Sequence, residues 1–316
     1  MKSAEPTLGI IVPCYDEEAA LNDSAERLTA EIKKLKDTGV ISAKSFVAFV
    51  DDGSKDATWE IISGLTKKDN NIRGLKLAGN VGHQNALLAG LMSFRSEADC
   101  LISIDADLQD SIDVMGEMVK GYVGGAEIVY GVRSERTADS FFKRFTAESY
   151  YKLLALFGVK IVYNHADYRL LGSRALATLE GYGEVNLFLR GLVPLLGFRS
   201  ITVTYERQER RFGSTKYPLR KMLRLAFDGI TSFSSVPLRA VTLSGFAIFL
   251  ASLVMSAYVI IGYILHNVVA GWASIVLPMY LLGGIQLLAI GIIGEYLAKI
   301  YTEVKRRPRY TVEEKI

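Results

Sequence analysis

The sequence of 316 residues predicts an α/β domain on a mostly parallel sheet, followed by amphipathic interface helices and a two-helix transmembrane hairpin. Three observations carry this. From Leu8 to about Gly131, short apolar, β-branched runs alternate with longer helical patterns, which implies parallel strands joined by right-handed crossovers. Acidic or glycine-rich clusters follow successive strands, at the ends where such sheets bind ligands. Two apolar windows lie near the C-terminus, each longer than the ~20 residues that cross a bilayer's hydrocarbon core.

Leu8–Val12 reads as the first strand, since its aliphatic run stops at Pro13 and a polar turn, and a helix follows over Ala19–Lys36. Phe46–Val50 and Ala57–Lys67 repeat the strand–helix pattern. Ile72–Leu77 is the third strand, with a helix over Asn85–Phe94. Cys100–Ile104 and Glu127–Tyr130 supply two more strands around a helix near Asp113–Val123. Cys14 and Cys100 fall in separate apolar runs and read as buried small hydrophobes, not a disulfide or metal pair. The apolar run before Pro13 is too short for a signal peptide's core, so the first domain is expected in the cytoplasm.

Beyond the sheet, Phe141, Phe142, Phe145, Tyr150 and Tyr151 are interleaved with Lys143, Arg144 and Lys152, and Tyr217–Phe233 mixes apolar and basic residues similarly. Both stretches suit helices lying in a headgroup layer. Ala240–Leu265 holds no charged residue and Ala273–Ala298 holds only Glu295. Basic residues crowd both flanks, including Arg207, Arg211, Arg220 and Lys221 before and Lys299, Lys305 and Arg306 after, whereas His266–Trp272 has none. The positive-inside rule then places both termini in the cytoplasm with two spans between them. The expected division is a cytoplasmic domain at 1–205, a basic segment and interface helix at 206–239, two transmembrane helices at 240–300 and a basic cytoplasmic tail at 301–316. Gly284 with Gly291, and Ala247 with Ala251, permit close packing within the hairpin or in a homo-oligomer.

The formal charge of +3 is too small for a nucleic-acid binder, and the abundance of apolar residues excludes intrinsic disorder. The strongest chemical signal is Asp105-Ala106-Asp107-Leu108-Gln109-Asp110 after a strand: two carboxylates and an amide oxygen at alternate positions can converge on one hard cation, Mg²⁺ or Mn²⁺, bridged to substrate phosphates. A helix N-cap with acidic residues is the structural alternative. Asp51-Asp52-Gly53-Ser54 offers a carboxylate to a base or ribose, with a glycine for a sharp turn. Val12-Pro13-Cys14-Tyr15-Asp16-Glu17-Glu18 supplies an aromatic ring and more carboxylates. Gly79-Asn80-Val81-Gly82-His83-Gln84 opens a helix whose N-terminus favours an anion. His83, His165 and His266 lack zinc spacing and are expected as solvent-exposed caps. Neither a P-loop nor a GxGxxG fingerprint occurs.

These motifs, in this order and with the two spans, resemble family 2 glycosyltransferases. The nearest resemblance is to the polyprenyl-phosphate glycosyltransferases, the group of dolichyl-phosphate mannose synthase and bacterial GtrB-type undecaprenyl-phosphate glucosyltransferases. The resemblance covers nearly the whole chain. It implies a GT-A, Rossmann-like sheet and an inverting, metal-dependent hexosyltransferase. The implied donor is a nucleotide sugar, UDP-glucose first, then UDP-N-acetylglucosamine, then GDP-mannose. The implied acceptor is a polyprenyl phosphate, undecaprenyl phosphate in a bacterial inner membrane. A flippase and a glycan transferase would act downstream. Pro13, Tyr15, Glu17 and Asp52 would line the nucleotide pocket, with Asp105 near the ribose or sugar and Asp107 and Gln109 on Mg²⁺ or Mn²⁺. Asp167-Tyr168-Arg169-Leu170 matches an Asp-Phe-Arg-Leu segment whose Asp faces the acceptor and sugar. Asp105, Asp107 and Asp167 would thus form the catalytic group. Arg133, Arg136, Arg169, Arg210 and Lys216 would meet phosphate. A polyprenyl phosphate is largely dianionic at neutral pH and already nucleophilic, so Asp167 is expected to orient it rather than act as a strong base. Gly79-Asn80-Val81-Gly82-His83 departs from the family's Arg-Asn-x-Gly-Lys, which bears on the donor sugar. Two other readings remain: a processive polysaccharide synthase, where Gln208-Glu209-Arg210-Arg211-Phe212 approximates Gln-x-x-Arg-Trp, and a non-enzymatic nucleotide-sugar sensor or scaffold.

Overall fold

A computed structural model describes residues 2–134, 165–185, 187–206, 236–264 and 272–316. The expected interface stretches at 141–154 and 217–233, together with Arg136, Arg210, Lys216 and His266, lie outside the described residues. The chain divides into two compact units, the first of which takes in the N-terminal residues and the final Arg306–Ile316.

In chain order the first unit contains β1 (Leu8–Cys14), α1 (Leu21–Asp37), β2 (Phe46–Asp51), α2 (Thr58–Lys68), β3 (Ile72–Leu77), α3 (His83–Phe94) and β4 (Cys100–Ser103). A 3₁₀ turn (Ile112–Val114) leads into α4 (Met115–Val123), β5 (Ile128–Arg133), β6 (His165–Gly172), α5 (Ser173–Glu180), α6 (Leu189–Leu195) and β7 (Ser200–Tyr205), and β8 (Val312–Lys315) closes the chain. One eight-stranded sheet results, ordered β7-β5-β6-β4-β1-β2-β3-β8. β1 pairs in parallel with β2 and β4, β2 with β3, and β5 with β7, so the expected mostly parallel α/β sheet is present.

The strands are continuous apolar runs because helices cover both faces of the sheet. Leu8, Ile10, Val12 and Cys14 of β1 pack into one layer with α1 and α4, while Ile11 joins α3, α5 and α6 in the other. Both cysteines are buried and unbridged. α3 sits close to the sheet through Gly90, where a Cβ would lie 2.5 Å from Ile11 and 2.7 Å from Val50.

Two strands run against the others. β6 inserts antiparallel between β4 and β5. Its starting end therefore lies beside the carboxyl ends of its neighbours, which decides the site. β8 pairs antiparallel with β3, matching Leu75 with Lys315 and Leu77 with Val312. Within the segment expected as a tail at 301–316, the first residues continue a helix and the last complete a sheet edge. Gly74 and Ile316 exchange backbone hydrogen bonds, and Lys76 pairs with Glu313 at 3.0 Å. An edge strand's unpaired N–H and C=O groups supply the driving force for this addition.

The second unit holds α7 (Val236–Ile264, 29 residues) and α8 (Trp272–Lys305, 34 residues). Large apolar side chains stand exposed along both, Leu243, Phe246 and Val254 on α7 and Leu287, Leu288 and Ile290 on α8 among them. Among the described residues, one stretch, Ile285–Lys305, is long and apolar enough by length and composition to cross a membrane, and Val236–Ile248 is a shorter apolar stretch.

Candidate active site

The carboxyl ends of β1 and β2 carry the first two motifs, with Cys14 and Asp51 as register partners. Pro13 is buried in β1, Tyr15 is 41% exposed just beyond it and Glu17 is half-buried. Hydrogen bonds lock the two loops together. Asp16 N–H donates to Ser54 Oγ at 3.0 Å, Lys55 N–H to Asp16 Oδ1 at 2.8 Å, and Glu17 N–H to Thr58 Oγ1 at 3.0 Å. Gly53 turns with φ +68°, and a Cβ there would stand 2.6 Å from the Gly79 backbone, so this close approach requires glycine.

The adjacent aspartates do different work. Asp52 accepts Val81 N–H at 2.8 Å and Gly82 N–H at 3.0 Å, one on each oxygen, and is buried. It is the anion that the glycine-rich loop and the start of α3 bind. Asp52, expected to contact the nucleotide, thus also clamps this loop from within. Asp51 is also buried; its Oδ1 accepts Ser54 N–H at 3.2 Å, but Oδ2 is buried with no hydrogen-bond partner among the described residues. Burial pushes the Asp51 carboxyl up, and an N–H donor from a ligand would satisfy the orphaned oxygen.

Beyond β4, half-buried Asp105, Asp107 and Gln109 alternate with buried Ala106, Leu108 and Asp110. Leu108 takes a left-handed conformation, φ +42°, and Gln109 N–H donates to Asp107 Oδ1 at 3.3 Å. The three oxygen-bearing side chains thus share the more exposed positions of this loop. Among the described residues no cluster of three His, Cys, Asp or Glu forms a closed metal cage. Two carboxylates and an amide suit a Mg²⁺ or Mn²⁺ ion whose other positions go to water and substrate phosphate. Burial and the neighbouring Asp167, Asp110 and Asp107 push the Asp105 carboxyl up against the pull of His83, so the cluster's electrostatics favour a cation.

Asp110 faces inward. It accepts Arg133 Nε at 3.1 Å, Arg133 Nη2 at 2.9 Å and Tyr205 OH at 2.7 Å. Arg133, expected on phosphate, ties β5 to the acidic loop through this pair.

Asp167 reaches the site because β6 is antiparallel. Ser103 pairs with Arg169, so Asp105, two residues after Ser103, and Asp167, two residues before Arg169, leave the ladder at the same end. Asp167 lies between two guanidiniums: Arg169 Nη2 pairs with Oδ1, while Arg190 Nη2 and Nε approach Oδ2 and Oδ1 at 3.0 and 3.3 Å. Burial alone would raise its pKa, but Arg190 and Arg169 hold it well below the usual carboxylate range. Asp167 is therefore a fixed anion and not a proton acceptor at neutral pH. Arg169, expected on phosphate, is 2% exposed here, donates its Nη1 to Leu189 O at 3.2 Å and serves as the buried counter-ion of Asp167. Arg190, at a third exposed, is the site cation that sequence reasoning missed. His83 was missed too: no mere cap, its Nε2 stands 3.5 Å from Asp105 and 3.8 Å from Asp167.

An acidic loop, an aromatic ring and a fixed carboxylate thus gather at the carboxyl edge of a mostly parallel sheet, where such sheets bind ligands. Residues 9–179 match Glycosyl transferase family 2, and the chain belongs to that family. It is 50% identical over 313 residues to the uncharacterized glycosyltransferase YkoT of Bacillus subtilis, covering 99% of this chain and 93% of that protein. It is 36% identical to a prophage bactoprenol glucosyl transferase homolog of Escherichia coli (97% and 98% covered) and 37% identical to the bactoprenol glucosyl transferase of Shigella phage SfII (97% of each).

Proposed function

We propose that this glycosyltransferase moves one hexose, glucose from UDP-glucose first and N-acetylglucosamine next, onto a polyprenyl phosphate, giving a lipid-linked monosaccharide. The observation that carries the reading is the meeting of Asp105 and Asp167 at one sheet edge, beside an acidic loop suited to a divalent cation. Near full-length similarity to proteins named for bactoprenol glucosyl transfer supports undecaprenyl phosphate as acceptor.

In this reading Tyr15 stacks on the base and Asp51 Oδ2 accepts its N–H. Asp107 and Gln109 would hold Mg²⁺ or Mn²⁺, which would supply positive charge beside the departing diphosphate. The dianionic lipid phosphate needs no base: its oxygen attacks the anomeric carbon as the bond to the nucleotide diphosphate breaks, inverting the centre. Asp167, itself fixed by Arg169 and Arg190, orients sugar and acceptor. Arg190, Arg136, Arg210 and Lys216 supply positive charge toward the phosphates.

The membrane arrangement we propose is two spans with both flanks cytoplasmic. Because β8 is paired into the same sheet as β3, the chain must cross a bilayer an even number of times between β7 and β8. A helix of 29 residues rises about 43 Å, more than the ~30 Å hydrocarbon core, so α7 is long enough to accompany α8.

The test is transfer by purified protein in detergent, with undecaprenyl phosphate, Mg²⁺ or Mn²⁺, and radiolabelled UDP- and GDP-sugars. Label in the lipid phase from UDP-glucose, abolished by EDTA, is expected. Absence of lipid label from every donor, with donor binding retained, would favour the sensor reading.

A further inference from the structure

His83 is the first residue of α3 and its position is fixed from two sides. On one side Asp52 clamps the preceding N–H groups of Val81 and Gly82. On the other, Gln84 Oε1 accepts Leu189 N–H at 2.9 Å, at the start of the helix whose Arg190 grips Asp167. Arg169 closes the circuit by bonding both Leu189 O and Asp167. The loop, α6 and β6 thus surround one imidazole, which is 45% exposed and faces carboxylates from β4 and β6.

The chemistry of this corner selects its ligand. Asp52 already takes the N–H groups of Val81 and Gly82, and two further carboxylates flank His83 Nε2, so the imidazole itself faces acceptors rather than anion-binding donors. A hydroxyl fits: it donates to a carboxylate and exchanges a hydrogen bond with the imidazole. Both distances exceed a tight hydrogen bond, so neither carboxylate saturates the imidazole nitrogen. We propose that His83, with Asp105 and Asp167, reads one hydroxyl of the transferred sugar and so determines donor specificity. The inference rests on the glycosyl-transfer reading above and assigns a sugar-discriminating role within it.

The experiment compares wild type, His83→Ala and His83→Gln in steady-state transfer to undecaprenyl phosphate, using UDP-glucose and its four monodeoxy analogues. Binding of UDP with Mg²⁺ is measured by calorimetry. In wild type, removal of one particular hydroxyl is expected to lower kcat/KM roughly 10- to 100-fold. His83→Ala should show a similar loss with UDP-glucose but no further loss with that one analogue, while His83→Gln, which keeps a donor, recovers part of it. UDP binding, which involves no sugar, should stay within about twofold. Additive effects at every hydroxyl, or a loss of UDP affinity matching the loss of kcat/KM, would overturn the assignment and make His83 a loop-holding residue. A wild-type protein that binds UDP but makes no glucosyl lipid overturns the function reading, and this inference falls with it.

Discussion

Asp107 and Asp167 are both acidic residues of one cleft, yet their surroundings give them opposite kinds of work. Asp107 belongs to the half-buried edge of a short loop, so Asp107→Ala should leave the thermal midpoint in detergent nearly unchanged while lowering lipid-linked product roughly 100-fold or more. Full activity in that variant would remove the metal assignment. Asp167 instead neutralises two guanidiniums, one of them in the core. Asp167→Asn leaves Arg169 buried without its counter-charge and should destabilise the domain by about 3 kcal/mol, read as a lowered unfolding midpoint. The pH profile separates orientation from base catalysis. A carboxyl held so low remains ionised throughout the working range, so the rate should fall as pH drops through ~6, where the lipid phosphate gains its second proton. That acid limb should persist, at the same midpoint, in the residual activity of Asp167→Asn. Its disappearance would restore Asp167 as a base.

At the level of elements, β1 to β5 were legible in the sequence, whereas β6, β7 and β8 were not. β1 to β5 show as apolar runs between helical patterns because both sheet faces are covered. β6 reads as a mixture of polar, aromatic and aliphatic residues, since Asp167 and Arg169 are buried as an ion pair instead of being replaced by apolar side chains. β8 has the sequence Val-Glu-Glu-Lys, fully exposed on its side chains, and gains its place through backbone pairing with β3. Removing residues 312–316 should therefore expose the β3 edge and the Ile62–Gly74 surface now covered by Ile316. The expected outcome is a lower unfolding midpoint and a shift to larger species in size-exclusion chromatography. An unchanged profile on both counts would show the strand to be dispensable.

For the whole molecule, the closing strand constrains topology more tightly than hydropathy does. By length and apolarity one stretch of the described helices qualifies as a span, whereas the two-span arrangement proposed above is the one that returns the chain to the sheet in which β8 pairs with β3. A cysteine substituted at His266 should thus react with an impermeant maleimide in intact cells, and one at Thr311 only after lysis. Cys14 and Cys100 are both buried, so background labelling should be low. Labelling of both positions from the same side of the intact membrane would exclude the hairpin.

By itself the sequence determined the α/β alternation, the apolar helices and the acidic loop, because each depends on neighbours within a few residues: period, strand-end position and alternate spacing. Tertiary structure alone decided which charged groups face substrate. Asp51 and Asp52 are indistinguishable until the Gly79–His83 loop occupies one of them. Arg133 and Arg169 resemble phosphate ligands until Asp110 and Asp167 are seen to hold them. Arg190 and His83 enter the site only because an antiparallel strand and two helices converge from distant parts of the chain. The physical reason is that a charge's role is set by the partner it meets, and pairing across a sheet leaves no local period in the sequence.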